Sequence, residues 1–308
     1  MPDLYGMKSE KPITIAIASG KGGTGKTTVA VSFALSLPAA STCLVDCDVE
    51  APNAHLFLAS ENEHVTPVQK SIPNVLFERC TFCGKCAEIC QFHAITVLNK
   101  PILRQQNVFV YPDLCHSCGA CLYVCPEQAI EEIPQQIGVI RESRTSLGMR
   151  LLMGEMNVGT AMPTPVIRAV IKRALNSDRQ NHVIIFDAPP GNSCSVVETV
   201  KQADFVVLVT EPTPFGLHDL KLSVELLEQM HKPAGIIINR GGIGDQAVEQ
   251  FLIDNNLPLL LRIPFDRTIA ENLSNGIPLV SQSGAYQQSF IRLLQQIRSL
   301  IFKAEGVL

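Results

Sequence analysis

ITIAIASGKGGTGKTT, residues 13–28, is the stretch on which the fold turns. Its first six residues are a continuous run of strand-forming residues and read as a buried strand. A glycine-rich turn follows, then an apolar helix from about Lys26 to Leu37, stopped by Pro38. Gly20 to Thr27 fit the pattern G-x-x-x-x-G-K-[ST] in the context it requires, after a strand and before a helix. Glycines let backbone N–H groups converge on phosphate oxygens without Cβ clashes, and the start of the helix adds the positive end of its dipole. Lys26 would reach the β- and γ-phosphates and the Thr27 hydroxyl would ligate Mg²⁺. The expected contacts of a bound ATP are therefore Gly20, Gly22, Gly23, Thr24, Gly25, Lys26, Thr27 and Thr28.

Outward from this loop, short apolar runs recur at 42–45, 183–186, 205–209, 235–238 and 259–263, with helical patterns such as 217–230 and 245–256 between most of them. Continuous apolar strands alternating with helices predict a doubly wound, mostly parallel α/β sheet covered on both faces. Asp187 ends the run VIIFD. A carboxylate at the carboxyl end of a parallel strand lies at the ligand edge of such a sheet, and Asp187 is the expected magnesium-side acid. Asp46 and Asp48 end the second strand. Asp48 is the candidate that orients the attacking water, and Asp46 reads more simply as a loop cap.

The middle of the chain breaks the rhythm. Eight of the eleven cysteines fall between Cys80 and Cys125, in two copies of one pattern: CTFCGKCAEICQFHAI (80–95) and CHSCGACLYVCPEQAI (115–130). Both repeat the bacterial ferredoxin spacing, in which the fourth cysteine ligates the other cluster. Cys80, Cys83, Cys86 and Cys125 would then hold one [4Fe–4S] cluster, and Cys115, Cys118, Cys121 and Cys90 a second. Two all-thiolate zinc sites are the alternative, disfavoured because four cysteines crowd into eleven residues, twice. Gln91 stands where proline is expected after the first copy, which removes no ligand. Pro67, Pro73 and Pro134 read as punctuation near the edges of this module.

SGKGGTGKTT, with its extra lysine at Lys21, resembles the deviant phosphate-binding motif of the MinD/ParA/Mrp group of ATPases, to which the nitrogenase iron protein is related. DCDVEAPN (46–53) and DAPPG (187–191) are similar to that group's two switches, INR (238–240) to its adenine-contacting strand end, and IPFDRTIAENLSNGIPLV (263–280) to its late nucleotide-side loop. The resemblance, which extends to members with an inserted ferredoxin domain, implies a P-loop NTPase fold in two parts, 1–70 and 136–308, around a small α+β ferredoxin-like insertion at 71–135. It implies adenine contact at Asn239 and a nucleotide-dependent dimer, homodimeric or formed with a paralogue. In that dimer Lys21 reaches the partner's nucleotide, so Lys21, Lys26, Asp48 and Asp187 form the expected catalytic set. The function so implied is an iron–sulfur ATPase whose switch is coupled to electron transfer or cluster delivery, with a redox or cluster-receiving client. A positioning ATPase with redox-sensing clusters and an ATP-binding electron carrier are the alternatives.

Composition narrows the partners. A formal net charge of -4 and the lack of a dense Lys/Arg run give no reason to expect nucleic acid. The polar MPDLYGMKSE at the amino terminus does not read as a leader, and no apolar run approaches a membrane span, so a cytoplasmic protein is expected. Eleven cysteines there point to metal or redox chemistry. Cys43 reads as a small core residue; Cys194 reads as a small residue, although it lies where the iron protein places a cluster ligand; Cys47 lies between the switch aspartates. His93 and His116 read as neighbours of a cluster. The apolar stripe of 286–303 reads as a face covering the sheet, not a membrane anchor.

Overall fold

The computed structural model describes residues 11–176, 182–242 and 244–304; the amino-terminal stretch read as lacking a leader lies outside them. In chain order come strand β1 (Ile13–Ala18), helix α1 (Lys26–Leu35), strands β2 (Thr42–Asp46) and β3 (Ser60–Val75), and helix α2 (Lys85–Ile89). Strands β4 (Ile95–Lys100) and β5 (Gln105–Val110), helix α3 (Ala120–Tyr123) and strands β6 (Ile130–Thr145) and β7 (Arg150–Met156) follow. Next are α4 (Thr164–Leu175), β8 (Val183–Asp187), α5 (Cys194–Lys201), β9 (Phe205–Thr210), α6 (Pro214–Gln229) and β10 (Ala234–Gly241). The chain ends with α7 (Asp245–Asp254), β11 (Leu259–Pro264), α8 (Arg267–Ser274), α9 (Leu279–Gln282) and α10 (Gly284–Ala304). Two compact units result: residues 1–66, 140–155 and 166–308, and residues 67–139 with 156–165.

The first unit is built on a mostly parallel sheet whose strand order is β11-β10-β9-β1-β8-β2-β7-β6-β3. The strands flanking β1 and β2 pair in parallel. Alternate residues of β1 face opposite sides of the sheet. Ile15 and Ile17 join a cluster with Phe33, Ala34 and, from α10, Phe290, Leu293 and Ile297. The rings of Phe33 and Phe290 lie 6.1 Å apart. Ala16, fully buried, is on the other face, where α5 contacts β1. Helix α1 is apolar nearly all round because it is sandwiched between the sheet and α10. It ends at Leu35, two residues earlier than the proline alone suggests. The Ser36 hydroxyl donates to the Ser32 carbonyl at 2.8 Å and competes with further helix there. The stripe on α10 does cover the sheet, and among the described residues no helix is long and apolar enough to cross a bilayer.

Two 16-residue strands, β3 and β6, were not legible as apolar runs, because much of each is exposed and polar. Pro67, Pro73 and Pro134 lie inside them, so none ends an element, although Pro67 does stand at the edge of the second unit. β3 is the edge strand, where a proline removes no bond on its open side. β6 and β7 are joined by a four-residue turn, closed by the Thr145 N–H donating to Met149, so that pair is antiparallel.

In the second unit the 35-residue sequence repeat is also a backbone repeat. Phe82 and Ser117 (φ 55° each), Gly84 and Gly119 (82° and 71°), and His93 and Gln128 (51° and 48°) occupy left-handed conformations at matching positions. α2 and α3 follow the two glycines. The copies also exchange backbone bonds: the Leu76 N–H donates to Ala129, and the Tyr111 N–H to Ala94, both at 2.8 Å. A two-stranded antiparallel sheet, β4–β5, completes the unit.

Candidate functional site

Strand register assembles the first site. Ile17, one residue before the end of β1, pairs with Asp187, and Asp187 pairs in turn with Asp46. The loop after β1 thus emerges beside two strand-terminal carboxylates that lie far away in sequence. Two of its glycines are required by close approach: a Cβ on Gly20 would meet the Asp219 carbonyl at 2.4 Å, and one on Gly25 (φ 94°) would meet the Asn239 amide at 2.4 Å. Asn239 donates from Nδ2 to the Thr24 carbonyl at 2.7 Å, pinning the loop to β10.

Charge is concentrated and buried here. Lys26 is 7% exposed, and burial pushes its pKa down while Asp187 and Asp48 pull it back up. Burial raises Asp187 well above the usual carboxylate range, and Asp46 beside it adds to the rise. Its two carboxylate oxygens are buried without a full hydrogen bond, although the Thr27 hydroxyl lies near enough to favour the charged form. The Asn53 Oδ1 is likewise buried and unpartnered. Such orphaned acceptors carry a desolvation cost that a bound cation or donor would relieve. Magnesium and a nucleotide therefore suit the donor set. Asp46 has its own work: it accepts from the backbone N–H groups of Asp48 (3.0 Å), Asn53 (2.8 Å) and Ala54 (3.0 Å), which fixes the loop after β2. Asp48, half-buried, is raised by desolvation and lowered by Lys26.

A cavity of about 470 Å³ opens over the loop, lined by Gly22, Gly23, Gly25, Lys26, Thr27 and Thr28 on one side and by Asp48, Asn239 and Phe265 on others. Gly20, Lys21 and Thr24 line a separate, narrow space instead. Lys21 donates to Glu211 at 3.3 Å, and Glu211, 8% exposed, also pairs with Arg240. Glu211 was missed in the sequence. It follows the strand FVVLVT as Asp187 follows VIIF, so the same strand-end signal could have found it. Cys43 and Cys47 are fully buried; burial pushes Cys43 up to about 12 and Cys47 well above the ordinary thiol range, which makes both inert. Cys194 is exposed at the start of α5.

In the second unit the eight cysteines separate into two quartets. Cys80, Cys83, Cys86 and Cys125 line one cavity; Cys90, Cys115, Cys118 and Cys121 line the other. Each quartet thus takes three cysteines from one copy and the fourth from the other. Backbone N–H groups are already aimed at sulfur: Ala94 donates to Cys90 (3.3 Å), Ala129 to Cys125 (3.2 Å) and Ser117 to Cys115 (3.4 Å). Burial raises the Cys86 thiol and pushes Cys121 up to about 11, so ligation there must release protons. Thiolate-rich cavities with N–H donors on sulfur suit an iron–sulfur cluster. His93 is exposed, and the His116 ring stacks on Phe92 at 3.6 Å.

Known proteins resemble this chain along most of its length. Residues 15–279 match the family described as the CobQ/CobB/MinD/ParA nucleotide binding domain. An uncharacterized protein of Methanocaldococcus jannaschii is 30% identical over 288 residues, 93% of this chain and 97% of that one. An iron-sulfur cluster carrier protein of the same organism is 22% identical over 317 residues, 95% of this chain and 85% of that one. Among solved structures, the MinC:MinD cell division protein complex of Aquifex aeolicus aligns with a TM-score of 0.56 at 17% identity, covering 93% of this chain and 96% of that one, a likeness of fold.

Proposed function

The chain belongs to the CobQ/CobB/MinD/ParA nucleotide-binding family and is a P-loop ATPase, and from that premise we propose that its ATP cycle drives a dimer switch coupled to two [4Fe–4S] clusters. The observation that carries this reading is the sorting of eight cysteines into two cavities of four, with the fourth cysteine exchanged between copies. In this reading residues 71–135 are a ferredoxin-like insertion between ATPase segments 1–70 and 136–308. The similarity to an iron-sulfur cluster carrier protein supports the same direction. When bound, such clusters supply one-electron chemistry or a transferable iron–sulfur unit, for a redox partner or a client that receives a cluster.

The reaction is ATP + H₂O → ADP + phosphate. Backbone N–H groups of residues 20–25 cradle the phosphates and Asn239 meets the adenine end. Lys26 neutralises charge on the β- and γ-phosphates. Thr27 and Asp187 would hold magnesium, a role supported by the Asp187 carboxylate oxygens, which are buried without partners. Asp48 orients the attacking water. Lys21 leaves Glu211 and supplies positive charge to the nucleotide of a second copy or a paralogue.

Anaerobically purified protein should contain about eight irons per chain with matching labile sulfide. Asp48→Ala should keep nucleotide affinity and slow turnover ~10²-fold, the scale of a lost proton-handling or water-orienting group. Zinc without sulfide would end the cluster reading, and wild-type turnover in Asp48→Ala would end that assignment.

A further inference from the structure

Lys70 occupies a position where an apolar side chain would be ordinary. It lies on β3 between Val68 and Ile72, on the inward face, and is 8% exposed. Its ammonium donates to the carbonyl oxygens of Pro112 (2.8 Å) and Cys115 (3.0 Å). Ile72 beside it packs with Ala94, Cys115 and Cys90, so this corner of the unit is built from ligands of the second quartet. The copies share the local backbone here: the Cys80 N–H bonds to Phe77 as the Cys115 N–H bonds to Pro112. The repeat nevertheless breaks at this position. Thirty-five residues after Lys70 stands Gln105, exposed and uncharged.

A buried cation favours whichever neighbouring state carries more negative charge. A cluster gains negative charge on reduction, and its potential follows local charge and burial. Other ionisable groups border the two cavities: Lys85 and Glu127 the first, His116 and Glu132 the second. These four are exposed, so water and salt screen them; Lys70 is shielded from that screening. We infer that Lys70 makes the cluster of Cys90, Cys115, Cys118 and Cys121 the more readily reduced of the two, so that a single electron settles on that quartet. The inference rests on the two-cluster reading above and adds a direction to it.

Anaerobic potentiometric titration followed by electron paramagnetic resonance tests it, with iron counted in every sample. Two reduction waves are expected. Lys70→Met should move the more positive wave down towards the other, and Lys70→Arg, which keeps the charge, should leave it near the wild-type position. The exposed ligands Cys118 and Cys83 assign the waves without touching Lys70: Cys118→Ser should displace the more positive wave, and Cys83→Ser the other. If Lys70→Met costs iron, that assignment decides alone. The inference fails if Lys70→Met leaves both waves in place or moves them together, or if Cys83→Ser displaces the more positive wave. Wild-type protein without iron would remove the two-cluster reading itself, a failure separable by the iron count.

Discussion

The loop at residues 20–27 and the cysteine copies of the second unit use the same local device, a left-handed glycine that launches a helix, at Gly25, Gly84 and Gly119. Their support differs. The first loop hangs from β1, β2 and β8, whose side chains belong to a continuous core reaching from Ile15 to Ile297. Among the described residues, the cysteine copies rest on two clusters of three buried residues each, Ile72–Ala94–Cys115 and Val75–Ile95–Val108, and cysteines pack in or against both. In the first unit the protein builds the site and the ligand arrives. In the second, the groups that would hold the ligand are themselves part of a core too small to stand on apolar burial alone.

Stripping the proposed clusters should expose that difference most strongly. Metal–thiolate binding is worth on the order of 10 kcal/mol in small metal-dependent folds. Chelated, reduced protein should lose hydrogen-exchange protection across 67–139 while β1, β8 and β9 keep theirs and nucleotide affinity holds within about twofold. Retained protection at 67–139 would break the contrast. The reverse experiment comes next in size. Lys26→Ala removes charged hydrogen bonds worth about 3 kcal/mol, so calorimetry should show ATP affinity falling ~10²-fold with the iron count unchanged. Loss of iron in that variant would mean the two regions do not stand independently.

The smallest effect concerns the carboxylates packed against the first loop. Burial pushes Asp46 up to about 6, above its value of about 3.9 in an unfolded chain. The folded protein therefore binds this proton more tightly than the unfolded one. The resulting stabilisation is full below about pH 4 and is lost as pH rises through about 6. Without nucleotide, the melting temperature should fall by a few degrees across that window, and Asp46→Asn should flatten the fall. An equal slope in the variant would place the proton elsewhere.

Both regions were visible in the sequence to unequal depth. The strand–loop–helix of 13–35 and the strands at 42, 183, 205, 234 and 259 were readable because each is locally periodic and bounded by turn residues. The cysteine pattern was readable because two or three residues separate successive cysteines within each copy and the whole pattern repeats. β3 and β6 escaped notice because their exposed stretches carry mixed residues with no apolar period. Asp46 looked like a cap, and it is one, with three backbone donors that only the folded loop after β2 brings to it.

What the sequence determined by itself is the pattern that needs close spacing: glycines and a lysine suited to phosphate, and repeated thiols at the spacing of metal ligands. Only the tertiary structure decided what each of those groups faces. Register, not sequence distance, brings Asp187 beside Ile17 and Asp46. Lys21 meets Glu211 across 190 residues, and Lys70 reaches the Cys115 carbonyl across 45. A local pattern can specify which atoms are offered to a ligand. The field those atoms sit in is summed over everything packed around them, and packing joins residues that no spacing rule connects.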